Sequence, residues 1–405
     1  MSLWTMPSLL VSPQLQWNAL LLFGAVLLLG LLGGHLVARC SWVPRLSGYL
    51  LVGFGLGAGG LNWLSGDVLE LANTFADLAV ALVVYQLGRY VDLGWLRRER
   101  WLAITVGSTA LLCFVMVWIA LELVGIARPV AMLAGVLAIG TGPAVVMVVV
   151  RELKAEGQIT RRLAAMAALN NLLALLAAYL LLPVLAAEPA TPLLTLVSHT
   201  MYSLCGALLL AYITYSIMIP LARLLGRDRN RQFVLVIAVI TLIVGATHAL
   251  QLPVLLTMLA FAILSKNLDV QYDLMELEFD VASELLIVVL FVSIGASMHL
   301  VDFQTVGLAV LALITARMLA IGIGIFAFAR PARLNSRQAA SLTLANFPMT
   351  EAGLGLIHIA YLYPAIAADI APLLAGSLIA MELLGPIATQ FALIRSGESR
   401  QGEGA

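Results

Sequence analysis

The sequence predicts an all-α membrane protein with about 13 transmembrane helices, and three observations support this fold class. Of the 405 residues, 62% are hydrophobic and only 11% are charged. The mean hydropathy is +1.03, which is far above what a soluble domain requires. Apolar stretches of about 20 residues recur along the chain, and this is the length that a helix needs to cross a bilayer. We therefore expect a single transmembrane transporter domain over residues 1–405.

Thirteen apolar stretches are candidates for membrane spans. The ninth is the shortest and would extend only about 20 Å at ~1.5 Å per residue, so we expect it to be tilted or supported by neighbouring helices. In order, the predicted spans are residues 15–37, 46–65, 70–91, 101–125, 129–150, 161–186, 195–222, 232–250, 253–265, 281–300, 304–328, 338–363 and 367–394.

The basic residues predict which side of the membrane each loop faces. With the N-terminus outside, all but two of the 22 Lys and Arg residues fall in inner loops. The exceptions are Arg128, in an outer loop, and Arg317, in the eleventh span. This asymmetry supports the span count, because one missed helix would reverse every later loop. We expect a multi-pass protein of the cell (inner) membrane with a short cytoplasmic tail at residues 395–405, and the balanced charge gives no sign of nucleic-acid binding.

Two spans contain helix-breaking residues at mid-depth. The fifth contains Gly140, Thr141, Gly142 and Pro143 in succession, and the twelfth contains "NFP" at residues 346–348. Proline lacks a main-chain donor and clashes with the preceding turn of a helix. Main chain that is opened in this way is tolerated in a bilayer only where protein or water satisfies it. We therefore expect two discontinuous helices.

The two breaks occupy corresponding positions in the two halves of the chain. One such break could be a simple kink, but spans two to six and spans nine to thirteen each form a group of five, with the break in the fourth. Span two runs outward and span nine runs inward. This arrangement predicts inverted repeats over residues 46–186 and 253–394, with a site at the midplane where the discontinuous helices cross.

A few polar side chains lie near the centres of the spans, and these are candidate site residues. Asn170 and Asn171 are adjacent in the sixth span, and Glu382 lies at the corresponding depth of the thirteenth. Arg317 is near the centre of the eleventh span and Glu351 is near that of the twelfth. A charge at the bilayer centre costs ~2.5–3.5 kcal/mol on insertion scales, so such residues usually have a function. Structural roles stay open, because the amides can join helices and Arg317 can pair with either glutamate.

Small residues at 53–60, "GFGLGAGG", predict a surface for close helix packing. Spans one to three and seven to nine also carry few polar residues at mid-depth. We therefore expect a homodimer whose interface includes this segment.

No residue pattern in the sequence indicates catalysis. Nothing resembles a nucleophile–base pair or a cluster of metal ligands, and the three cysteines have neither metal-ligand nor disulfide spacing. We expect no enzyme activity and no cofactor.

Five segments resemble parts of one transporter family, in the order in which that family has them. They are "VPRLSGYLLVGFGLGAGGL" (43–61), "ADLAVALVVYQLGRYVDL" (76–93), "GTGPAVVMVVVREL" (140–153), "FVSIGASMHL" (291–300) and "PMTEAGLGL" (348–356). Arg317 falls where related proteins have a membrane-embedded lysine. The family is the monovalent cation:proton antiporter superfamily, and the likeness is greatest to its bacterial sodium(potassium)/proton antiporter branch.

The resemblance implies the sodium/proton antiporter fold, in which a core slides against a dimeric scaffold and exposes its site to each side in turn. Monovalent cations and protons would be the substrates, and Thr141 and Pro143 would lie beside the site. The family places Asp-Asp or Asn-Asp where this chain has Asn170 and Asn171, and the second aspartate binds either a cation or a proton. Asn171 can offer a carbonyl oxygen, but it cannot release a proton near neutral pH.

Three interpretations follow from the missing acid. The favoured one is a Na⁺ or K⁺/proton antiporter with atypical coupling, in which proton exchange has moved to Glu382 or Glu351. The second is an ion transporter or conduit without proton coupling, in which Arg317 beside neutral amides could even admit a small anion. The third is a degenerate member of the family that acts as a non-transporting sensor or assembly partner.

Overall fold

The computed structural model describes residues 19–38, 43–57, 59–61, 67–185, 193–226, 228–269, 280–296, 301–349 and 364–399. Within these ranges the chain is helical, and one isolated bridge joins two extended residues, Thr141 and Met349. The helices are α1 (Ala19–Val37), α2 (Arg45–Leu56), α3 (Asp67–Gly88), α4 (Leu93–Arg98), α5 (Arg100–Leu123), α6 (Arg128–Leu137), α7 (Pro143–Glu152), α8 (Gln158–Leu185), α9 (Leu193–Leu225), α10 (Arg229–Ala249), α11 (Val254–Asn267), α12 (Asp280–Ala296), α13 (Val301–Ala329), α14 (Ser336–Ala345) and α15 (Pro364–Ser396).

Every predicted span overlaps a helix of the structure. In the described part of the chain, 6 helices are long and apolar enough to cross a membrane, and they lie in α5, α8, α9, α10, α13 and α15. The short ninth span corresponds to α11, which has 14 residues and packs mainly against α9 and α3. The all-helical, multi-pass architecture is therefore confirmed, while the number of 13 crossings and the inverted repeats stay predictions.

The fifth predicted span is divided into two helices where its helix-breaking residues lie. Helix α6 ends at Leu137, and α7 begins at Pro143. Proline suits the first position of a helix, because the N–H that it lacks would have no intrahelical partner there. In the twelfth span, α14 ends at Ala345 and the described chain continues to Met349. The rest of that span, including Glu351, lies outside the described residues.

Polar contacts join the predicted inner segments at one end of the bundle, which we call the basic end. These contacts are Arg45 with Glu152, Arg162 with Glu99, Leu93 with Asn267, Arg337 with Arg395, and Thr160 with Glu398. Arg128 instead contacts Glu122, at the opposite end of α5. The helices therefore alternate in direction as the arginine distribution predicts, and the assignment of the basic end to the cytoplasm stays a prediction.

Glycines of α2 allow this helix to contact α12 of the same chain closely. A Cβ atom at Gly53 would collide with the main chain of Val292, and one at Gly57 would collide with that of Ala296. Gly53 and Gly57 therefore serve close packing within the chain, and the homodimer interface predicted to include this segment stays a prediction.

The packing of α2 on α12 predicts different effects on stability for two glycine substitutions. Gly53→Ala should lower the thermal stability in detergent by the equivalent of about 1–3 kcal/mol, because the added methyl group meets main chain that cannot rotate away. Gly55→Ala is the matched control, because a Cβ atom there meets no atom within 4 Å. It should leave stability unchanged or raise it slightly, since alanine favours a helix by up to about 1 kcal/mol. Equal melting temperatures for the two variants would contradict this packing.

Candidate functional site

The two opened segments, which follow α6 and α14, lie side by side inside the molecule. The Gly142 N–H donates a hydrogen bond to the Pro348 carbonyl at 3.2 Å, next to the bridge between Thr141 and Met349. A Cβ atom at position 142 would lie 2.9 Å from the Met349 carbonyl oxygen, so glycine permits this approach. The segments therefore form one unit, which we call the paired breaks.

Arg317 of α13 binds both segments of the paired breaks and is 0% exposed. Its guanidinium donates hydrogen bonds to four main-chain carbonyls. They belong to Ala138 at 2.7 Å, Gly140 at 2.9 Å, Phe347 at 2.7 Å and Pro348 at 3.0 Å. The first two carbonyls follow the C-terminus of α6, and the other two follow that of α14. The positive charge therefore also lies at the negative ends of two helix dipoles.

These contacts revise the role that the sequence predicts for Arg317. No carboxylate of the described chain, Glu382 included, lies within ion-pair distance of it. Pairing with Glu382 is therefore wrong as a prediction, because main-chain oxygens accept from four of the five N–H donors of the guanidinium. Pairing with Glu351 stays a prediction, since that residue is not described. The same four carbonyl oxygens carry partial negative charge around the guanidinium, and they therefore disfavour binding of an anion there.

Asn170 and Asn171 of α8 are buried beside the paired breaks. The Asn171 amide nitrogen donates to the Thr141 carbonyl at 2.6 Å and to the Ala167 carbonyl at 2.9 Å. The Asn170 amide nitrogen donates to the Thr141 hydroxyl at 3.2 Å. These acceptors fix the orientation of the Asn171 side chain, because only its NH₂ group can donate. Neither amide oxygen, Oδ1 of Asn170 or of Asn171, accepts a hydrogen bond from the described residues.

Thr141 connects the amide pair to the second break. Its hydroxyl accepts from Asn170 and lies 3.3 Å from Oδ1 of Asn346, whose own amide nitrogen donates to the Leu342 carbonyl at 2.8 Å. Asn346 was not among the predicted site residues. The signal that could have identified it is its position in the second break, which corresponds to that of Thr141 in the first. Pro143 lies at the site as the first residue of α7, where it begins the helix that follows the first break.

Glu382 of α15 is 1% exposed and lies on a helix face that contacts the second break. Gly385, almost one turn later, is so close to Pro348 that a Cβ atom at Gly385 would be 3.1 Å from the proline Cβ. One turn further, the Thr389 hydroxyl donates to the Ala345 carbonyl at 3.2 Å. Residues three and four apart share a helix face, so Glu382 lies near the break to which Arg317 also binds.

The contacts of Arg317 predict a large loss of stability when its donors are removed. Arg317→Met would leave four buried carbonyls without this donor, and each unsatisfied group costs about 1–3 kcal/mol. Arg317→Lys retains the charge and up to three donors, so it should be destabilised less. Thermal unfolding in detergent measures both effects, with the exposed Arg330→Met just beyond the same helix as the control. If adding Glu382→Gln restored the thermal stability of Arg317→Met, a carboxylate, and not the carbonyls, would be the main partner of Arg317.

The chain is similar in structure to the sodium proton antiporter MjNhaP1 from Methanocaldococcus jannaschii. The structure of that protein at pH 8 aligns with a TM-score of 0.61 and 17% sequence identity, covering 93% of this chain and 95% of that chain. The structure from an electron-microscopy map of MjNhaP1 aligns with a TM-score of 0.68 and 17% identity over the same shares of the two chains. At this identity the likeness shows the fold alone.

Comparison with curated proteins finds no match to the chain. The model of the family described as "Sodium/hydrogen exchanger, transmembrane" matches residues 19–395. Because this match covers nearly the whole chain, the protein belongs to the transmembrane sodium/hydrogen exchanger family, within the monovalent cation:proton antiporter superfamily.

Proposed function

We propose that this protein exchanges Na⁺ or K⁺ for protons by alternating access, and that Glu382, rather than a carboxylate of α8, carries the proton. The observation that carries the proposal is the pair of buried amide oxygens on Asn170 and Asn171. They lie beside the paired breaks and accept no hydrogen bond from the described chain. A buried acceptor without a donor is costly, so these oxygens are suited to bind an ion or water.

The chemistry of the amide pair favours an alkali cation. Neutral carbonyl-type oxygens bind hard cations without requiring that a proton leave first. Both N–H groups of the Asn171 amide donate, to the Thr141 and Ala167 carbonyls, and one N–H of Asn170 donates to the Thr141 hydroxyl, so Asn171 has no N–H left to bind an anion. Arg317 is likewise held by four carbonyls. Both observations weigh against the anion conduit.

Proton coupling in this proposal requires a carboxyl group other than the one missing at Asn171. Glu382 is the fully buried carboxylic acid of the described chain, and its helix face contacts the second break. Ionisable residues inside a membrane bundle often serve as proton relays. Glu351 is a second candidate for the same role from the sequence.

A proton-uncoupled transporter or conduit is the alternative function, and one specific observation favours it. The amide pair carries buried oxygens that accept no hydrogen bond from the described chain, and it contains no ionisable group. Cation movement through such a site would need no proton. A non-transporting sensor or assembly role would also leave the amide pair without an ion.

Two substitutions should change proton coupling in opposite directions. Asn171→Asp should raise proton-coupled exchange and make its pH dependence steeper. Its carboxyl group would face the Thr141 carbonyl, 2.6 Å from the present amide nitrogen, and must bind a proton or turn toward the cation. Glu382→Gln should abolish the proton coupling of the native chain. Purified protein in liposomes containing a pH-sensitive dye, with imposed Na⁺, K⁺ or Li⁺ gradients, measures both effects.

Matched controls separate coupling from folding. Asn170→Asp adds the same acid one residue earlier and should have the smaller effect, and Glu122→Gln neutralises a carboxylate far from the paired breaks. Melting temperatures of all four variants show whether each one folds. If the native protein moves no protons under any cation gradient and Asn171→Asp gains none, the uncoupled or non-transporting alternatives replace the antiporter.

We also propose that the protein is a homodimer in the cell membrane, with the basic end in the cytoplasm. Helix α9 supports the first part, because it carries a long row of exposed apolar side chains at one side of the bundle. Among them are Leu208, Leu209, Tyr212, Ile213 and Ile217. The predominance of arginine at the basic end supports the second part.

Native mass spectrometry tests the assembly. In several mild detergents the main species should have the mass of two chains, because an apolar surface of this extent can pack against a second copy as well as against lipid. A clean monomer across all these detergents would contradict the homodimer.

A further inference from the structure

The short helix α4, at the basic end, is firmly attached to its neighbours. The Asp92 side chain accepts a hydrogen bond from the Trp95 N–H at 2.9 Å and so caps the helix. The Asn267 side chain, at the end of α11, accepts from the Leu93 N–H at 2.7 Å and donates to the Val91 carbonyl at 2.8 Å. The side chains that α4 carries therefore project from a fixed platform.

Four exposed arginines surround this platform, and we call them the arginine cluster. They are Arg97 and Arg98 at the end of α4, Arg100 at the start of α5, and Arg161 in the first turn of α8. The Arg161 guanidinium lies 4.4 Å from the centre of the Trp95 ring, which brings α8 into the cluster. The neighbouring acid, Glu99, binds the buried Arg162 at 3.2 Å. Within the described chain, no carboxylate lies within ion-pair distance of the four arginines.

The arginine cluster thus concentrates positive charge that the described chain does not compensate. Like charges that are held together repel one another, and a bound anion relieves that repulsion. Guanidinium groups match the geometry of phosphate oxygens, because they offer two parallel donors. The cluster therefore fits a phosphate group.

An apolar stripe continues from the arginine cluster along α5. Arg100, Ile104, Gly107 and Leu111 follow at helical spacing, so they share one face of this membrane helix. Ile104 is 42% exposed and Leu111 is 64% exposed. A Cβ atom at Gly107 would meet no atom within 4 Å, so a shallow notch separates the two side chains. This face is open to the acyl chains of the bilayer.

Aromatic residues place the arginine cluster at the depth of lipid headgroups. The Arg100 guanidinium lies 5.6 Å from the ring centre of Trp101, and this ring stacks on Phe328 with ring centres 6.2 Å apart. Trp95 lies under Arg161, and the exposed Tyr90 precedes α4. Trp and Tyr are enriched where the hydrocarbon region meets the headgroups.

We propose that the arginine cluster and the apolar stripe of α5 together bind an anionic phospholipid. Its phosphate would contact Arg97, Arg98 and Arg100, and one acyl chain would lie along the notch at Gly107. A free phosphate would use the cluster alone, and the continuity of the cluster with a lipid-facing stripe is what points to a lipid. This site is separate from the paired breaks and does not depend on the proposed transport.

Titration of the full chain in mild detergent tests this site. Dioctanoyl phosphatidylglycerol is compared with dioctanoyl phosphatidylcholine, and binding is followed by native mass spectrometry and thermal shift. We expect the anionic lipid to bind more tightly, with an affinity that falls as salt rises. The double variant Arg97→Gln/Arg98→Gln should bind phosphatidylglycerol about 30-fold more weakly, since each basic side chain near a membrane surface contributes a factor of about five.

Two further variants separate this site from general electrostatic attraction. Arg229→Gln/Arg231→Gln removes the same charge at the start of α10, which packs mainly against α9, α11 and α3, and should bind like the native chain. Gly107→Phe fills the notch and should weaken binding without removing a charge. The proposal is overturned if the two lipids bind equally, if both arginine double variants behave alike, if Gly107→Phe binds normally, or if glycerol phosphate binds as tightly as phosphatidylglycerol.

Discussion

The arrangement of the paired breaks depends on the hydrogen bonds between Arg317 and four main-chain carbonyls. Where α6 and α14 end inside the protein, carbonyl groups and the negative ends of two helix dipoles are left that hydrocarbon could not satisfy. A guanidinium has five donors in one plane, so it can bind acceptors from two different segments at once. Four bonds of 2.7–3.0 Å show that it does so here. A lysine ammonium, with three donors around one atom, could not serve all four in this way.

This use of Arg317 determines which oxygens are left for a cation. Carbonyls of the opened segments are the usual ligands in discontinuous helices. Here Arg317 takes those of Ala138, Gly140, Phe347 and Pro348, and Asn171 donates to that of Thr141. On α8, beside the breaks, the amide oxygens of Asn170 and Asn171 accept no hydrogen bond from the described chain. The amide pair is therefore the centre of the candidate site, and the paired breaks act mainly as its support.

The sequence was sufficient to predict the helices and the break in the fifth span, because hydropathy and proline act locally. It was insufficient for the contacts of Arg317, because a position within a span indicates depth but not which neighbours have open acceptors. The packing of Gly53 and Gly57 on α12 could not be predicted for a related reason, since small residues look the same in sequence whether they pack within a chain or between chains. Helix α4 was not predicted because six residues are too few to show a periodic pattern. Asn346 could have been predicted from its position in the second break, but its contact with Thr141 is seen only in the structure.

In the antiporter that we propose, charge balance connects the absence of an acid at Asn171 to the need for a carboxyl group elsewhere. An aspartate at the position of Asn171 would offset the fixed charge of Arg317, whereas an amide leaves it in place. A cation that binds near Arg317 would be repelled by this charge, and the repulsion is strong where water is excluded. Glu382 is the fully buried carboxylic acid of the described chain. Its ionisation would restore the balance, so cation entry would favour release of its proton, and this competition is the coupling that an antiporter requires.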